Sequence, residues 1–141
     1  MHLLDVSVLL ARADSQHPSH GLAVVWMRDH SSGWATCPIT ENGMLRILGH
    51  ANYPGGGAGS PKDAAVILEG MIAAIPGHRF IPDDYSVREI LDDQTTVASK
   101  ALTDIYLLSL AIRHGIGFLT LDQRIDASLV GGGKAALELL K

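Results

Sequence analysis

One cysteine in 141 residues excludes an internal disulfide, and with no local feature to activate its thiol, Cys37 reads as a small buried apolar residue. Aromatic side chains are equally scarce, at 5% of the chain. The scattered Trp26, Trp34, Tyr53, Tyr85 and Tyr106 fit core or interface positions better than a base-stacking platform. No apolar run approaches the roughly 20 residues of a membrane span. The N-terminus MHLLDVSVLLARAD has neither a basic leader nor a small-residue cleavage site, so the expected location is cytoplasmic. There is no cationic excess either. Eleven Lys and Arg stand against 15 Asp and Glu, for a formal charge of −4, which excludes a surface coated in positive charge for nucleic acid. It does not exclude a nuclease, because an acidic metal site supplies part of that charge and a bound cation reverses the local field.

What is present suffices for one core. A chain of this size buries roughly 68 to 70% of its unfolded surface, and 47% of its residues are hydrophobic. Neither repeats nor linkers divide it, so residues 1–141 are expected to form a single domain. The most informative stretch is Leu102 to Arg124. Thr103 is a candidate N-cap, Asp104 lies in the first turn where the helix dipole favours an acid, and Gly115 suits the left-handed position after the helix. Phe118 to Leu121 then reads as an interior parallel strand, with Asp122 just beyond it.

The rest of the chain repeats that grammar. Met1 to Asp5 reads as the first strand, followed by a short helix, and Gly21 to His30 as a second helix stopped at SerSerGly. Trp34 to Ile39 is the expected second strand, with Thr40 capping a helix that opens on Glu41. After the glycine-rich loop Asn52 to Ser60, Ser60, Pro61 and Asp63 write a strong helix start. His78 to Ile81 is a short strand, and Val87 to Leu91 a short helix. The final AALELL is a helix by propensity or a strand by position. Alternating strand and helix signals predict a three-layer α/β/α sandwich around a mainly parallel sheet.

Asp5, Glu41, Asp104 and Asp122 each follow a strand or open a helix. In a parallel sheet such positions converge on the rim at the carboxyl ends of the strands, where ligands bind. Crowded carboxylates repel unless a cation or donors compensate, and a hard divalent ion such as magnesium, or manganese in its place, is the natural partner. Ser7 and Thr120 lie close enough in sequence to orient ligands or waters. Taken singly, Asp104 and Glu41 are also ordinary helix-start acids, whereas Asp5 and Asp122 follow buried runs where a solvated acid is less expected.

The segments LLDVSVLLA around Asp5, TENGMLRIL around Glu41, LTDIYLLSLA around Asp104 and FLTLDQRI around Asp122, with a weaker HRFIPDD, occur in an order that resembles the PIN-domain ribonucleases. Among them it is similar to the VapC toxins of type II toxin-antitoxin systems. The resemblance covers nearly the whole chain. It implies a magnesium-dependent endoribonuclease that leaves a 5′-phosphate, a cognate antitoxin of the VapB type docking on an apolar groove between early helices, and a homodimer. By position it makes Asp5, Asp104 and Asp122 the metal-facing carboxylates, completed by Glu41 directly or through water, with Ser7 and Thr120 in support. Ile125 stands where the family often has an aromatic, and Asp126 reads as a solvated loop acid in preference to an extra acid of the site. Arg12, Arg46 and Arg124, each shortly after a candidate acid, are the candidate phosphate contacts.

Other signals are weaker. GGGAGSPK lacks the Gly-Lys-Ser/Thr ending of a phosphate-binding loop, and His17 with His20 has no third ligand nearby. A receiver domain would need an acidic neighbour for Asp5 and a late-strand lysine. The serious alternative to the enzyme is a catalytically silent PIN-like module that binds RNA or protein.

Overall fold

The computed structural model describes residues 1–91 and 96–141. Five short segments become strands: β1 (His2–Leu4), β2 (Trp34–Thr36), β3 (His78–Phe80), β4 (Gly117–Thr120) and β5 (Leu137–Leu139). They form one sheet in the order β3-β2-β1-β4-β5, and every pairing is parallel. The central strands β1, β2 and β4 are buried on both faces, which makes them mostly apolar, whereas the edge strands β3 and β5 carry Arg79 and Glu138. Leu4 and Leu119 enter one core with Trp34, while Leu3 and Phe118 enter a second with Ala35.

Helices cover both faces, giving the expected three layers. On the first face lie α1 (Val6–Ala13), α2 (His20–Asp29), α3 (Pro38–Leu48) and α4 (Pro61–Ala74), contributing Leu9, Trp26, Met44 and Leu68 among others. On the second lie α5 (Leu102–Arg113) and the single turn α6 (Gly133–Ala136). Helix α5 is buried along most of its length, as its apolar composition requires. Gly115 closes it at φ +70° while the Ile116 N–H donates back to the Ala111 carbonyl at 3.0 Å, a left-handed helix ending. Both readings of the C-terminal segment hold in turn, since Gly133–Ala136 is helical and Leu137–Leu139 pairs with β4.

Two expected caps are corrected. Pro38 begins α3 and Cys37 stands at its N-cap, so β2 ends at Thr36 and Thr40 is the third helical residue, its hydroxyl accepting from the Cys37 N–H at 3.0 Å. Proline at the first helical position outweighs a threonine two residues later. Thr103 likewise lies inside α5, because a 3-10 turn over Ser99–Ala101 feeds straight into that helix and Ala101 becomes its cap. The segment Val87–Ile90 is a 3-10 turn, whereas the Ser60 cap of α4 forms as expected, its side chain accepting from the Asp63 N–H at 3.1 Å. No helix among the described residues is long and apolar enough to cross a membrane.

Helices α1 and α3 meet at Gly43, where an added Cβ would stand 2.6 Å from Val6 Cγ2. Val6 follows Asp5 directly and Gly43 lies two residues from Glu41, so this close approach fixes α1 against α3 beside two candidate acids. Overpacking of this kind costs typically ~1 to 3 kcal/mol. Gly43→Ala should lower the unfolding free energy by about that amount in urea denaturation; an unchanged midpoint would mean that the two helices separate without cost.

Candidate acidic active site

The sheet order reverses between β1 and β4, so the chain leaves these two neighbouring strands in opposite directions and opens a crevice at their carboxyl ends. Asp5 follows β1 and caps α1. It is 7% exposed, and a carboxylate so buried needs donors. Its Oδ1 accepts from the Val6 N–H at 2.8 Å, and its Oδ2 accepts from the Ser7 hydroxyl at 2.8 Å and the Thr120 hydroxyl at 2.7 Å. Each hydroxyl is used twice. Thr120 Oγ1 accepts from the Asp122 N–H at 3.0 Å, and Ser7 Oγ accepts from the Leu121 N–H at 3.2 Å. The loops after β1 and β4 are therefore stitched together through two side chains that support Asp5.

Asp122 is held differently. Arg124 grips it with two parallel bonds, Nε to Oδ1 and Nη2 to Oδ2, both 3.0 Å, while the Arg124 backbone N–H donates to Oδ1 at 2.9 Å. These bonds, with the guanidinium bonds leading, hold the Asp122 carboxyl below its ordinary range. Asp104 approaches from the first turn of α5 and lines the same cleft as Asp122. Burial first, then the negative charges of Asp5 and Asp122, push its carboxyl up to about 6, with Arg124 opposing.

Glu41 stands apart from this trio. Its Oε1 accepts from the Thr36 hydroxyl at 2.7 Å, and Thr36 Oγ1 lies 2.8 Å from His78 Nε2. Having given its single proton to Glu41, the Thr36 oxygen can only accept from His78, which places that imidazole's proton on Nε2. Burial lowers the His78 pKa, with the Glu41 charge working against it. Neither Thr36 nor His78 is apparent as a partner from sequence, because β2–β3 pairing brings them together across 42 positions.

The cleft beside Asp104 and Asp122 has a volume of about 380 Å³ and is lined by Ile105, Ile125 and Leu129 together with Lys100 and Arg124. Lys100 is absent from the sequence-based candidates, although its position one turn before Asp104 is a usable signal. Arg12 and Arg46 fall in the last turns of α1 and α3, so these helices carry them away from the acids that open them. Asp126 caps the turn Ala127–Leu129 and is held by Ser128, and it also lines the cleft with Asp104 and Asp122. Tyr85 and Tyr106 stack 5.0 Å apart and each hydroxyl donates to the other's backbone carbonyl, which makes them a locked pair and not a free platform.

Among the described residues no three His, Cys, Asp or Glu side chains stand ready as a metal cage. Arg124 covers both oxygens of Asp122, and Glu41 is bonded to Thr36. The remaining chemistry still suits a hard cation. Asp104 is pressed by two neighbouring carboxylates, and a hydrated magnesium ion commonly needs only one or two protein carboxylates.

The layered fold with an acidic crevice at its switch point is of the PIN type. It superposes on the solved structure of VapC20 from Mycobacterium tuberculosis, a Sarcin-Ricin loop cleaving toxin, with a TM-score of 0.63 over 91% of this chain and 95% of the other, at 13% sequence identity. No family model matches the sequence. Individual relatives are closer. Ribonuclease VapC44 of M. tuberculosis is 36% identical over 135 residues, covering 92% of each chain, and ribonuclease VapC38 of the same species is 34% identical over 143 residues, covering 99% of this chain and 98% of its own. The chain belongs to the VapC ribonuclease family.

Two measurements probe the geometry. Thr120→Val keeps the shape but removes a hydrogen bond to a buried carboxylate, and should lower stability by about 1.5 to 3 kcal/mol; an unchanged denaturation midpoint would show that Asp5 does not rely on it. For Asp104 the folded pKa lies above the ordinary 3.8, so the folded state binds the extra proton, and stability falls as pH rises from about 4 through about 6. With chelator present, Asp104→Asn should match the parent at pH 4 and exceed it at pH 7.5 by on the order of 1 kcal/mol, a figure already reduced for solvent screening. A pH-independent difference between the two proteins would contradict the repulsion.

Proposed function

We propose that this protein is the toxin of a type II toxin-antitoxin pair, an endoribonuclease that hydrolyses RNA phosphodiesters with the help of magnesium, or manganese in its place. The observation that carries the reading is the convergence of Asp5, Asp104 and Asp122 on the β1/β4 crevice in a chain of the VapC ribonuclease family. Asp104 and Asp122 would hold the ion, with Asp5 behind them and Glu41 joining through water. Magnesium bound there supplies a Lewis acid that activates water and polarises a phosphoryl oxygen.

The chain's own residues do the rest. Ser7 and Thr120 hold Asp5 in place by donating to Oδ2. Thr36 holds Glu41 from β2. Arg124 and Lys100 are the cations of the cleft, so they meet the RNA backbone there, with Ile105, Ile125 and Leu129 excluding water from its wall. Family membership also supports a VapB-type antitoxin as the neutralising partner and a homodimer as the assembly.

Purified protein should cut total cellular RNA into discrete fragments with 5′-phosphate ends in magnesium or manganese. Chelator should abolish cutting, and Asp104→Asn should reduce it by at least about 100-fold, the scale of losing a transition-state electrostatic contact. Equal cleavage by the variant would remove Asp104 from the mechanism. Expression without the antitoxin should slow growth, with relief by Asp5→Asn; growth arrest that survives both substitutions would favour the silent binding module.

A further inference from the structure

The bond between Arg124 and Asp122 does more than balance a charge. A planar guanidinium laid across both oxygens of a carboxylate occupies the edge that a cation would use. The Arg124 side chain is 90% exposed and Asp122 24% exposed, so little packing anchors the guanidinium, and an ion pair this open contributes little. The carboxylate has separate support. Its Oδ1 also accepts the Arg124 backbone N–H, and the Asp122 backbone N–H is held by Thr120, so Asp122 keeps its place when the guanidinium leaves.

We propose that Arg124 is a built-in counter-ion for Asp122 that a divalent cation must displace, so that metal entry and release of the guanidinium into the cleft are one event. The inference rests on the metal-dependent reading above and adds to it a reason why the acids do not stand as a finished cage. Like charges cannot share the edge of Asp122, and the entering ion also relieves the crowding at Asp104 that Arg124 only partly offsets. The displaced fork stays tethered two residues from the acid. It then points its donors into a cleft lined by Ile105, Ile125 and Leu129, where a phosphodiester oxygen is a suitable acceptor.

The test is manganese binding by calorimetry to the full chain and to its Arg124→Gln, Arg124→Lys and Lys100→Gln variants. Lys100→Gln removes a charge from the same cleft without touching Asp122, and so measures the general electrostatic effect. Arg124→Gln should bind manganese roughly two- to fivefold more tightly than the parent, the factor that an exposed ion pair accounts for. Lys100→Gln should gain clearly less, and Arg124→Lys, which keeps a charge but loses the fork, should fall between. In the parent, saturating magnesium should shift the Arg124 Nε–H resonance. Equal gains in the Arg124→Gln and Lys100→Gln proteins, weaker binding by Arg124→Gln, or an unmoved resonance at saturation would each overturn the displacement. Absence of any manganese binding by the parent would instead overturn the metal-dependent reading on which it stands.

Discussion

The structure depends on one buried carboxylate. Asp5 sits where two parallel strands part, and without three donated hydrogen bonds its charge would cost several kcal/mol at that depth. Two of those donors are hydroxyls that also receive backbone N–H groups from the far loop, so satisfying Asp5 fixes the β1 exit against the β4 exit. The bonds that satisfy one acid thus hold together the two walls of the crevice that the strand order opens. Asp104 then enters against opposing forces. The start of α5 favours a negative charge by about 0.3 to 1 kcal/mol. Burial and two carboxylates outweigh it, as the rise of the Asp104 pKa to about 6 records. The α5 terminus alone does not neutralise the site.

How much of this was legible follows from what each signal depends on. Asp5 and Asp122 were readable because an acid directly after a buried strand is a local pattern, and chain order alone put them on one rim. Gly115 and the Ser60 start of α4 were readable for the same reason. Thr40 and Thr103 misled because a cap depends on where the preceding element ends, and Pro38 and the Ser99–Ala101 turn moved those ends. AALELL resisted a single answer because it holds the end of a short helix and the start of a strand. The partnership of Glu41 with Thr36 and His78 was beyond local reading, since strand pairing creates it. Arginines adjacent in sequence to the acids separated according to direction: Arg12 and Arg46 travel down helices, while Arg124 stays in the loop beside its acid.

That separation bears on how an acidic protein could work on a polyanion. At physiological ionic strength the Debye length is about 8 Å, so exposed acids scattered over the far surface contribute little to the potential in the cleft. What counts is the local set: Asp104, Asp122 and Asp126 against Lys100 and Arg124, with Asp5 close behind. In that set the guanidinium is already committed to Asp122, so a phosphate approaching the cleft without a divalent ion meets a net negative wall. Adding two positive charges offsets that local excess of acid while the chain as a whole stays negative. On the proposed reading, then, the same small group of side chains that makes the metal necessary for chemistry also makes it necessary for substrate approach, and the negative charge of the whole chain ceases to argue against an RNA substrate.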